Sequence, residues 1–126
     1  MNKVAIIRCE KNEERCPLTS CFKCLVETTE GFAGYDQAVP AGVFTCRCPG
    51  DNVVKLSKIL KAKGAEAIHF CTCMFAGKTE AGWKMDKGGF CSHLDSLMEQ
   101  VHQATGLPCV KGSAHLPEGY VPETLP

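Results

Sequence analysis

Four short apolar runs alternate along the chain with stretches of helical periodicity, and this alternation limits the choice of fold more than any other feature. The runs are rich in β-branched and aromatic residues, and they lie at 3–8, 38–45, 65–70 and 107–110. Apolar residues recur at helical spacing over 53–60 and 94–101, and a third helix is expected around 21–28. Strands that alternate with helices form right-handed βαβ units. The sequence therefore predicts an α/β fold, a small three-layer sandwich with a mostly parallel sheet of about four strands, of the flavodoxin-like or Rossmann-like kind.

The length and the distribution of glycine and proline predict one domain. The 126 residues contain no repeat and no low-complexity linker, so we expect a single domain over 1–126. Residues 74–90 carry four glycines and the only tryptophan, Trp83, which predicts a long loop and a candidate lid. The tail 116–126 contains three prolines and is expected to be irregular.

The charge balance excludes several kinds of partner. The 14 Lys and Arg residues equal the 14 Asp and Glu residues, whereas nucleic acids and anionic membranes attract proteins with a basic excess. The apolar runs are too short to span a bilayer, and the four-residue run after Lys3 is too short for an export signal. We expect a cytoplasmic protein without a nucleic-acid or membrane partner. The sequence identifies no protein partner.

Ten of the 126 residues are cysteine, and their number points to chemistry rather than to covalent cross-linking. Disulfides are rare in the cytoplasm, where thiols stay reduced. Clustered free thiols are typical of metal-binding or redox proteins. The ten cysteines therefore favour a site that uses sulfur.

A cysteine or a histidine follows every predicted strand. In strand order these residues are Cys9, then Cys46 and Cys48, then Cys71 and Cys73, and finally His115. The carboxyl ends of parallel strands meet at one edge of the sheet, where open α/β proteins bind their ligands. Cys91 and His93 precede the last predicted helix, whose N-terminus lies at the same edge. The placement predicts one shared thiol and imidazole site.

Six short motifs along the chain resemble those of one family. They are Ile7-Arg8-Cys9, Cys16-Pro17 with Cys21-Phe22, Cys48-Pro49-Gly50 before a helix, His69 with Cys73-Met74, Cys91-Ser92-His93-Leu94, and Gly112-Ser113-Ala114-His115. Together they resemble the CGGC-domain family of cysteine-rich cytosolic proteins, from about Val4 to His115. The resemblance implies a Cys/His site that binds zinc or another metal, with no assigned activity. The expected metal ligands are Cys9, Cys16, Cys21, Cys46, Cys48, Cys73, Cys91, His93 and His115.

The chain departs from the family at the motif that names it. Where the family reads Cys-Gly-Gly-Cys-Pro-Gly, this chain reads Cys46-Arg47-Cys48-Pro49-Gly50, which is one residue shorter. Cys48 matches the second motif cysteine, and Cys46 matches the first only across a gap. Cys71 lies outside the family pattern, and one hypothesis is that it compensates for the altered motif.

Several interpretations stay open at this point. The metal is zinc, which takes four such ligands in structural sites, or an iron–sulfur cluster, which prefers cysteine. The alternative function is a thiol redox or sulfur-handling enzyme that uses the pairs Cys46-x-Cys48 and Cys71-x-Cys73, because residues i and i+2 of an extended strand point the same way. A third interpretation is a cysteine-rich subunit of a larger complex. The sequence does not decide whether the protein is an enzyme, and it lacks the glycine-rich motifs of nucleotide cofactors.

Two residues of reactive type are expected to be structural. His69 lies within a predicted strand beside Phe70 and is expected to be a hydrogen-bonded core residue. Cys109 lies at the start of the last predicted strand, away from the carboxyl edge, and is expected in the core.

Overall fold

The apolar runs of the sequence form the centre of a five-stranded sheet, seen in a computed structural model that describes residues 2–126. The strands are β1 (Asn2–Cys9), β2 (Ala38–Cys46), β3 (Ala67–Phe70), β4 (Gly77–Thr79), β5 (Gly82–Lys84), β6 (Cys109–Lys111) and β7 (Glu123–Leu125). The helices are α1 (Thr19–Glu27), α2 (Val53–Ala62) and α3 (Leu94–Thr105). The order is that of an α/β protein, with each helix joining two strands of the main sheet.

The main sheet has the order β2-β1-β3-β6-β7, and its first four strands are parallel. Strand β2 pairs with one edge of β1, whereas β3 and then β6 are added on the opposite side of β1. Right-handed crossovers therefore put α1 on one face and α2 and α3, which pack against each other, on the opposite face. The point where the direction reverses lies between β1 and β3, and a ligand crevice is expected at the carboxyl ends of these strands.

Strand β1 forms the centre of the core. The side chains of Val4, Ala5, Ile6 and Ile7 are completely buried, as a parallel strand covered on both faces requires. Edge strand β2 tolerates Pro40 because its pairing with β1 shifts by one residue at this point.

The expected α/β class and mostly parallel sheet are confirmed, but the number of strands is not. The main sheet has five strands instead of about four, because Glu123–Leu125 in the tail pairs antiparallel with β6. The segment 74–90 is not a plain loop, since β4 and β5 form an antiparallel hairpin within it. Both additions are strands of three residues, too short to produce a periodic pattern in the sequence.

The three predicted helices form close to their expected positions. Helix α2 buries Val53 and Leu60, and α3 buries its apolar stripe and ends at Gly106, whose φ of 71° is left-handed. None of the helices in residues 2–126 has the length and apolar character needed to cross a bilayer.

Candidate functional site

The cysteines at the carboxyl edge of the sheet divide between two neighbouring cavities instead of meeting in one site. The smaller cavity, of about 50 Å³, is lined by the motif cluster, which we define as Cys9, Cys46, Cys48 and Cys91. The larger cavity, of about 550 Å³, is lined by the cavity cluster, which we define as Cys16, Cys21, Cys71 and Cys73. His93 lies at the smaller cavity and His115 at the larger one.

The motif cluster gathers four thiols from three separate segments of the chain. Cys9 and Cys46 are the last residues of β1 and β2, and they are direct partners in the pairing of these strands. Cys48 follows in the loop before α2, and Cys91 lies three residues before α3 begins. Cys9 and Cys46 are buried, Cys91 is half-buried and Cys48 is exposed.

The loop that carries Cys48 is tied to its surroundings by polar contacts. The backbone N–H of Cys48 donates to the carboxylate of Glu10, and the Arg47 guanidinium is 2.7 Å from the carboxylate of Glu13. His93 Nε2 is 2.7 Å from the carbonyl oxygen of Pro49. Because a carbonyl oxygen only accepts, Nε2 carries the proton of this hydrogen bond.

Burial controls the protonation of the deeper thiols in the motif cluster. It raises the pKa of Cys46 to about 11, with a further contribution from negative charge on Cys91 and Cys9. Burial also raises the pKa of Cys9, although the backbone N–H of Lys11 opposes this effect. Both thiols are therefore neutral at pH 7 unless a cation is close by.

Gly50 allows helix α3 to approach the motif loop. Its φ is +101°, and a Cβ at this position would lie 2.8 Å from a methyl group of Leu97 and 3.3 Å from Cys46 Sγ. The Cys-Pro-Gly sequence thus ends in the residue type that this close approach requires.

The cavity cluster surrounds the first turn of α1. Cys21 is the third residue of α1, Cys71 directly follows β3, and Cys73 lies in a 3-10 turn over Thr72–Met74. Cys16 lies in the loop before α1, where its sulfur accepts the backbone N–H of Leu18 at 3.4 Å. Strand β2 ends at Cys46, before Cys48, and strand β3 ends at Phe70, before Cys71 and Cys73. Neither Cys-x-Cys pair therefore lies on the extended strand that the redox interpretation assumed.

Cys21 is held by hydrogen-bonding groups that favour its thiolate. Its Sγ is 3.1 Å from Ser113 Oγ, and Ser113 Oγ accepts the backbone N–H of Thr72 at 3.3 Å, so the hydroxyl proton is free to point at the sulfur. The Cys71 thiol lowers the pKa of Cys21 most, followed by Ser113, the backbone N–H of Ala114 and the charge of Arg8. Although burial opposes them, together they lower this pKa to about 6.

The pKa values of Cys71 and Cys73 also depend on the neighbouring thiols. Hydrogen bonds with Cys21 and with Cys73 raise the pKa of Cys71 well above the ordinary thiol value. Burial and the negative charge of the two neighbouring thiols raise it further. The interaction with Cys71 lowers the pKa of Cys73, with a smaller effect from Asn12 and Arg8. At pH 7 Cys21 is therefore mainly a thiolate, and the neighbouring Cys71 is protonated.

The walls of the larger cavity are aromatic and basic. The rings of Trp83 and His115 stack with centroids 5.2 Å apart and planes 5° from parallel. Arg15, Lys78 and Lys87 lie at the rim, and none of the described residues that line the cavity is acidic. The hairpin β4–β5 supplies Trp83 and Lys78, so the segment expected to be a lid forms one wall.

Within residues 2–126, no group of three or more Cys, His, Asp or Glu side chains is arranged to hold a metal ion in its present position. The motif cluster supplies enough donors in number and chemistry, but a metal site requires its thiols to turn towards a common point. Cysteine has a single side-chain torsion, so this change does not require a change of fold.

The chain is similar to proteins of one known family. The model of the CGGC domain matches residues 3–114. The chain belongs to the CGGC domain family. It is similar to an uncharacterized protein of Methanocaldococcus jannaschii, with 42% identity over 80 residues, which cover 58% of this chain and 62% of the relative. The match thus spans less than two thirds of the relative's length. No solved structure matches the chain.

The altered CGGC motif lies entirely at the smaller cavity. Arg47, which separates its two cysteines, turns away to pair with Glu13 at the surface. Cys71 lies in the cavity cluster against Cys21 and Cys73, so it is not placed to substitute for a thiol of the motif.

The two residues expected to be structural lie in the core. His69 is fully buried, with Nδ1 2.9 Å from the carbonyl oxygen of Gly112 and Nε2 2.8 Å from the hydroxyl of Tyr35. Cys109 is fully buried at the start of β6. Both predictions are confirmed.

Sequence reasoning missed the polar residues that support the thiols. Ser113, Thr72 and Arg8 contact or influence the cavity cluster, and Glu10 binds the backbone of Cys48. Each of these four residues lies within two positions of a cysteine or of His115 in the sequence. This proximity was the only signal that could have identified them. Their roles depend on contacts between distant segments, which spacing along the chain does not reveal.

Proposed function

We propose that this CGGC-domain protein binds a single soft divalent metal ion, with zinc the expected one, through the thiolates of the motif cluster. The observation that carries the proposal is that four cysteines from three separate segments line one cavity of about 50 Å³ at the carboxyl edge of the sheet. Soft divalent ions prefer thiolate sulfur, and structural zinc sites use four ligands.

The cavity suits an ion better than a cluster of iron and sulfide. A volume of about 50 Å³ accommodates one ion with its bonds to four sulfurs, and Met74, Phe90 and Leu97 close the cavity with apolar side chains. A bound divalent cation supplies positive charge that keeps coordinating thiols deprotonated. A bound cation would thereby oppose the increase in pKa that burial causes at Cys9 and Cys46.

Polar residues around the motif cluster hold the loop that carries Cys48. Glu10 and His93 hold the backbone of Cys48 and Pro49, which fixes the loop between β2 and α2. Contacts of this kind around a metal site typically set the direction of its ligands. In this proposal His93 is a positioning residue through Nε2, and its Nδ1 contacts Ser92 Oγ at 3.5 Å.

The other expected ligands are not part of this proposed set. Cys16, Cys21, Cys73 and His115 line the larger cavity, beyond Phe90. We propose a cytoplasmic setting because all ten cysteines are free thiols, which a reducing compartment preserves. We also propose that the parallel part of the sheet is a reduced flavodoxin-like arrangement, since β2-β1-β3-β6 follows that strand order.

Elemental analysis of protein purified without oxygen tests the metal proposal. The wild type is expected to contain about one zinc ion per chain and to be colourless. Cys46→Ser and Cys91→Ser are expected to lose most of the metal, because three thiolates bind a soft ion far more weakly than four.

Matched controls separate loss of a ligand from loss of a thiol. Cys24→Ser, at a half-buried position on α1, and Cys109→Ser, in the core, are expected to keep the full metal content. Wild-type protein without metal, or equal metal content in Cys46→Ser and Cys24→Ser, would contradict the proposal. Iron with the visible absorbance of a cluster would contradict the single-ion part.

A further inference from the structure

The larger cavity takes no part in the proposed metal site, yet it has the features of a reactive site. Its volume of about 550 Å³ lies within the range of small-molecule pockets. Four cysteines line it, one of them in the first turn of a nine-residue helix. Its stacked Trp83 and His115 and its basic rim would be unnecessary for a purely structural cluster of thiols.

We propose that this cavity is a second functional site, in which Cys21 attacks small disulfides that carry carboxylate groups and Cys71 resolves the mixed disulfide that forms. The proposal does not depend on the metal site. It uses a pair of cysteines 50 positions apart in the sequence, not a Cys-x-Cys pair.

The surroundings of Cys21 identify it as the attacking thiol. Ser113 lies 3.1 Å from its sulfur and accepts the N–H of Thr72, so its hydroxyl proton is available to the thiolate. The N–H of Ala114 and the guanidinium of Arg8 also favour the charged form. The pKa of Cys21, lowered to about 6, is consistent with this geometry, because thiolates are the nucleophiles in disulfide exchange.

Cys71 has the properties of the resolving thiol. It interacts directly with Cys21, and only 2% of its surface is exposed, against 8% for Cys21. Its pKa is raised well above the ordinary thiol value, so it stays protonated while Cys21 reacts. Because Cys21 is the more exposed of the two, a disulfide in the cavity is expected to react with Cys21 first.

The rim of the cavity selects the substrate class. Arg15, Lys78 and Lys87 are cations, and the part of the lining that the structure describes contains no carboxylate to balance them. Lys87 Nζ donates to the carbonyl oxygen of Lys78 at 2.8 Å, which keeps its charge at the rim. Carboxylate groups on a disulfide are attracted to these cations, and ammonium groups are repelled.

The reaction balances without a further reactant. The Cys21 thiolate bonds to one sulfur of the small disulfide, the original S–S bond breaks, and one thiolate leaves. The Cys71 sulfur then bonds to the Cys21 sulfur and displaces the second small thiolate, which takes the proton of Cys71. The two protein thiols are oxidised by two electrons, and the small disulfide is reduced to two thiols.

Mass spectrometry after exposure to 3,3′-dithiodipropionate tests the order of the two cysteines. The reduced full-length protein is expected to form a Cys21–Cys71 disulfide and to release two equivalents of 3-mercaptopropionate. Cys71→Ser is expected to accumulate the mixed disulfide on Cys21, and Cys21→Ser is expected to form neither product. Cys24→Ser, one turn further along α1, is the matched control and is expected to behave like the wild type.

The wild-type protein alone provides an independent readout. Alkylation of Cys21 by iodoacetamide, followed by peptide mapping, is expected to reach half its maximal rate near pH 6 instead of near the ordinary thiol pKa. This measurement stays decisive if a variant fails to fold. A midpoint above pH 8 would overturn the assignment of Cys21.

Small disulfides of different charge test the substrate class. At low salt, the dianionic 3,3′-dithiodipropionate is expected to react about tenfold faster than the dicationic cystamine, with the neutral bis(2-hydroxyethyl) disulfide between them. Salt, or the pair of changes Lys78→Gln and Lys87→Gln, is expected to reduce the difference. Equal rates for the three disulfides, or modification mainly at other cysteines, would overturn the proposal. Cys46→Ser is expected to keep the exchange, which separates this site from the metal site.

Discussion

His69 couples the stability of the sheet to pH. Its ring is buried in β3, where Nδ1–H donates to the carbonyl of Gly112 and Nε2 accepts the hydroxyl proton of Tyr35. Burial lowers the pKa of His69 to about 4, and burial raises that of Tyr35 to about 12, so both rings are neutral at physiological pH. A proton on His69 would place an unpaired charge in the core.

The free energy of unfolding is therefore expected to fall as the pH decreases from about 6.5 to about 4. In this range the unfolded chain binds a proton at His69 and the folded chain does not, so acid favours unfolding. The loss is expected to reach about 3 kcal/mol. Urea unfolding at a series of pH values measures it. The variant His69→Gln is expected to be less stable at pH 7 but to lose this part of the pH dependence, and an unchanged slope would contradict the assignment to His69.

The individual thiols also show why residue type alone does not assign a role. Cys21 and Cys46 are both buried cysteines at the carboxyl edge, yet the pKa of one is lowered to about 6 and that of the other is raised to about 11. The difference arises because Cys21 receives hydrogen bonds, whereas burial and neighbouring thiols dominate at Cys46.

At the scale of elements, the segment after α1 supports the loop that holds Cys21. Gly31 N–H donates to the carbonyl of Ser113 at 2.8 Å, and a Cβ on Gly31 would lie 2.6 Å from the carbonyl oxygen of Gly112. The backbone that follows β6 thus packs directly on Gly31. Any side chain there would push this backbone away.

The variant Gly31→Ala is expected to lose about 1–3 kcal/mol of stability and to weaken the contact between Ser113 and Cys21. Chemical denaturation measures the first effect, and the pH profile of Cys21 alkylation measures the second. Gly34→Ala is the matched control, because a Cβ at Gly34 meets no atom within 4 Å. If the two variants were equally stable, the close packing of Gly31 would not matter for folding.

The elements at the carboxyl edge also explain the division into two cavities. The segment before α3 pairs with the 3-10 turn after β3, where Phe90 N–H donates to the carbonyl of Cys73 and Cys91 N–H donates to that of Met74. The Phe90 side chain lines both cavities. It lies between the motif cluster and the cavity cluster.

At the scale of the whole molecule, the proposed metal ion links segments that the sheet alone does not join. Strands β1 and β2 end at the motif cluster, and the loop between β5 and α3 brings Cys91 to it. A ligand that binds only the folded state stabilises it by mass action, by about 4 kcal/mol at a thousandfold excess over Kd. Metal removal is therefore expected to loosen this edge first.

Hydrogen exchange before and after chelation measures this effect. Residues 46–50 and 90–93 are expected to lose protection on metal removal, because all of them except Cys46 lie outside the strands and helices. Strand β3 is expected to keep its protection, since Ile68 and Phe70 are completely buried. An equal loss in both regions would indicate global unfolding, and no change at 46–50 would count against the metal site.

The sequence by itself determined the α/β class, the parallel strands and the gathering of thiols at one edge of the sheet. These properties follow from local periodicity and from the shared direction of parallel strands, both of which can be read along the chain. It did not reveal the hairpin β4–β5 or the tail strand β7, because three residues are too few for a periodic signal.

Only the tertiary structure decided which thiols meet. Cys9 and Cys73 both follow neighbouring strands, yet Cys9 lines the smaller cavity and Cys73 the larger. Their separation depends on the turn after β3 and on Phe90, which comes from a segment 17 residues further along the chain. The environment of Cys21 likewise depends on Ser113, 92 positions away. Contacts between distant segments arise from packing, and spacing along the chain carries no record of them.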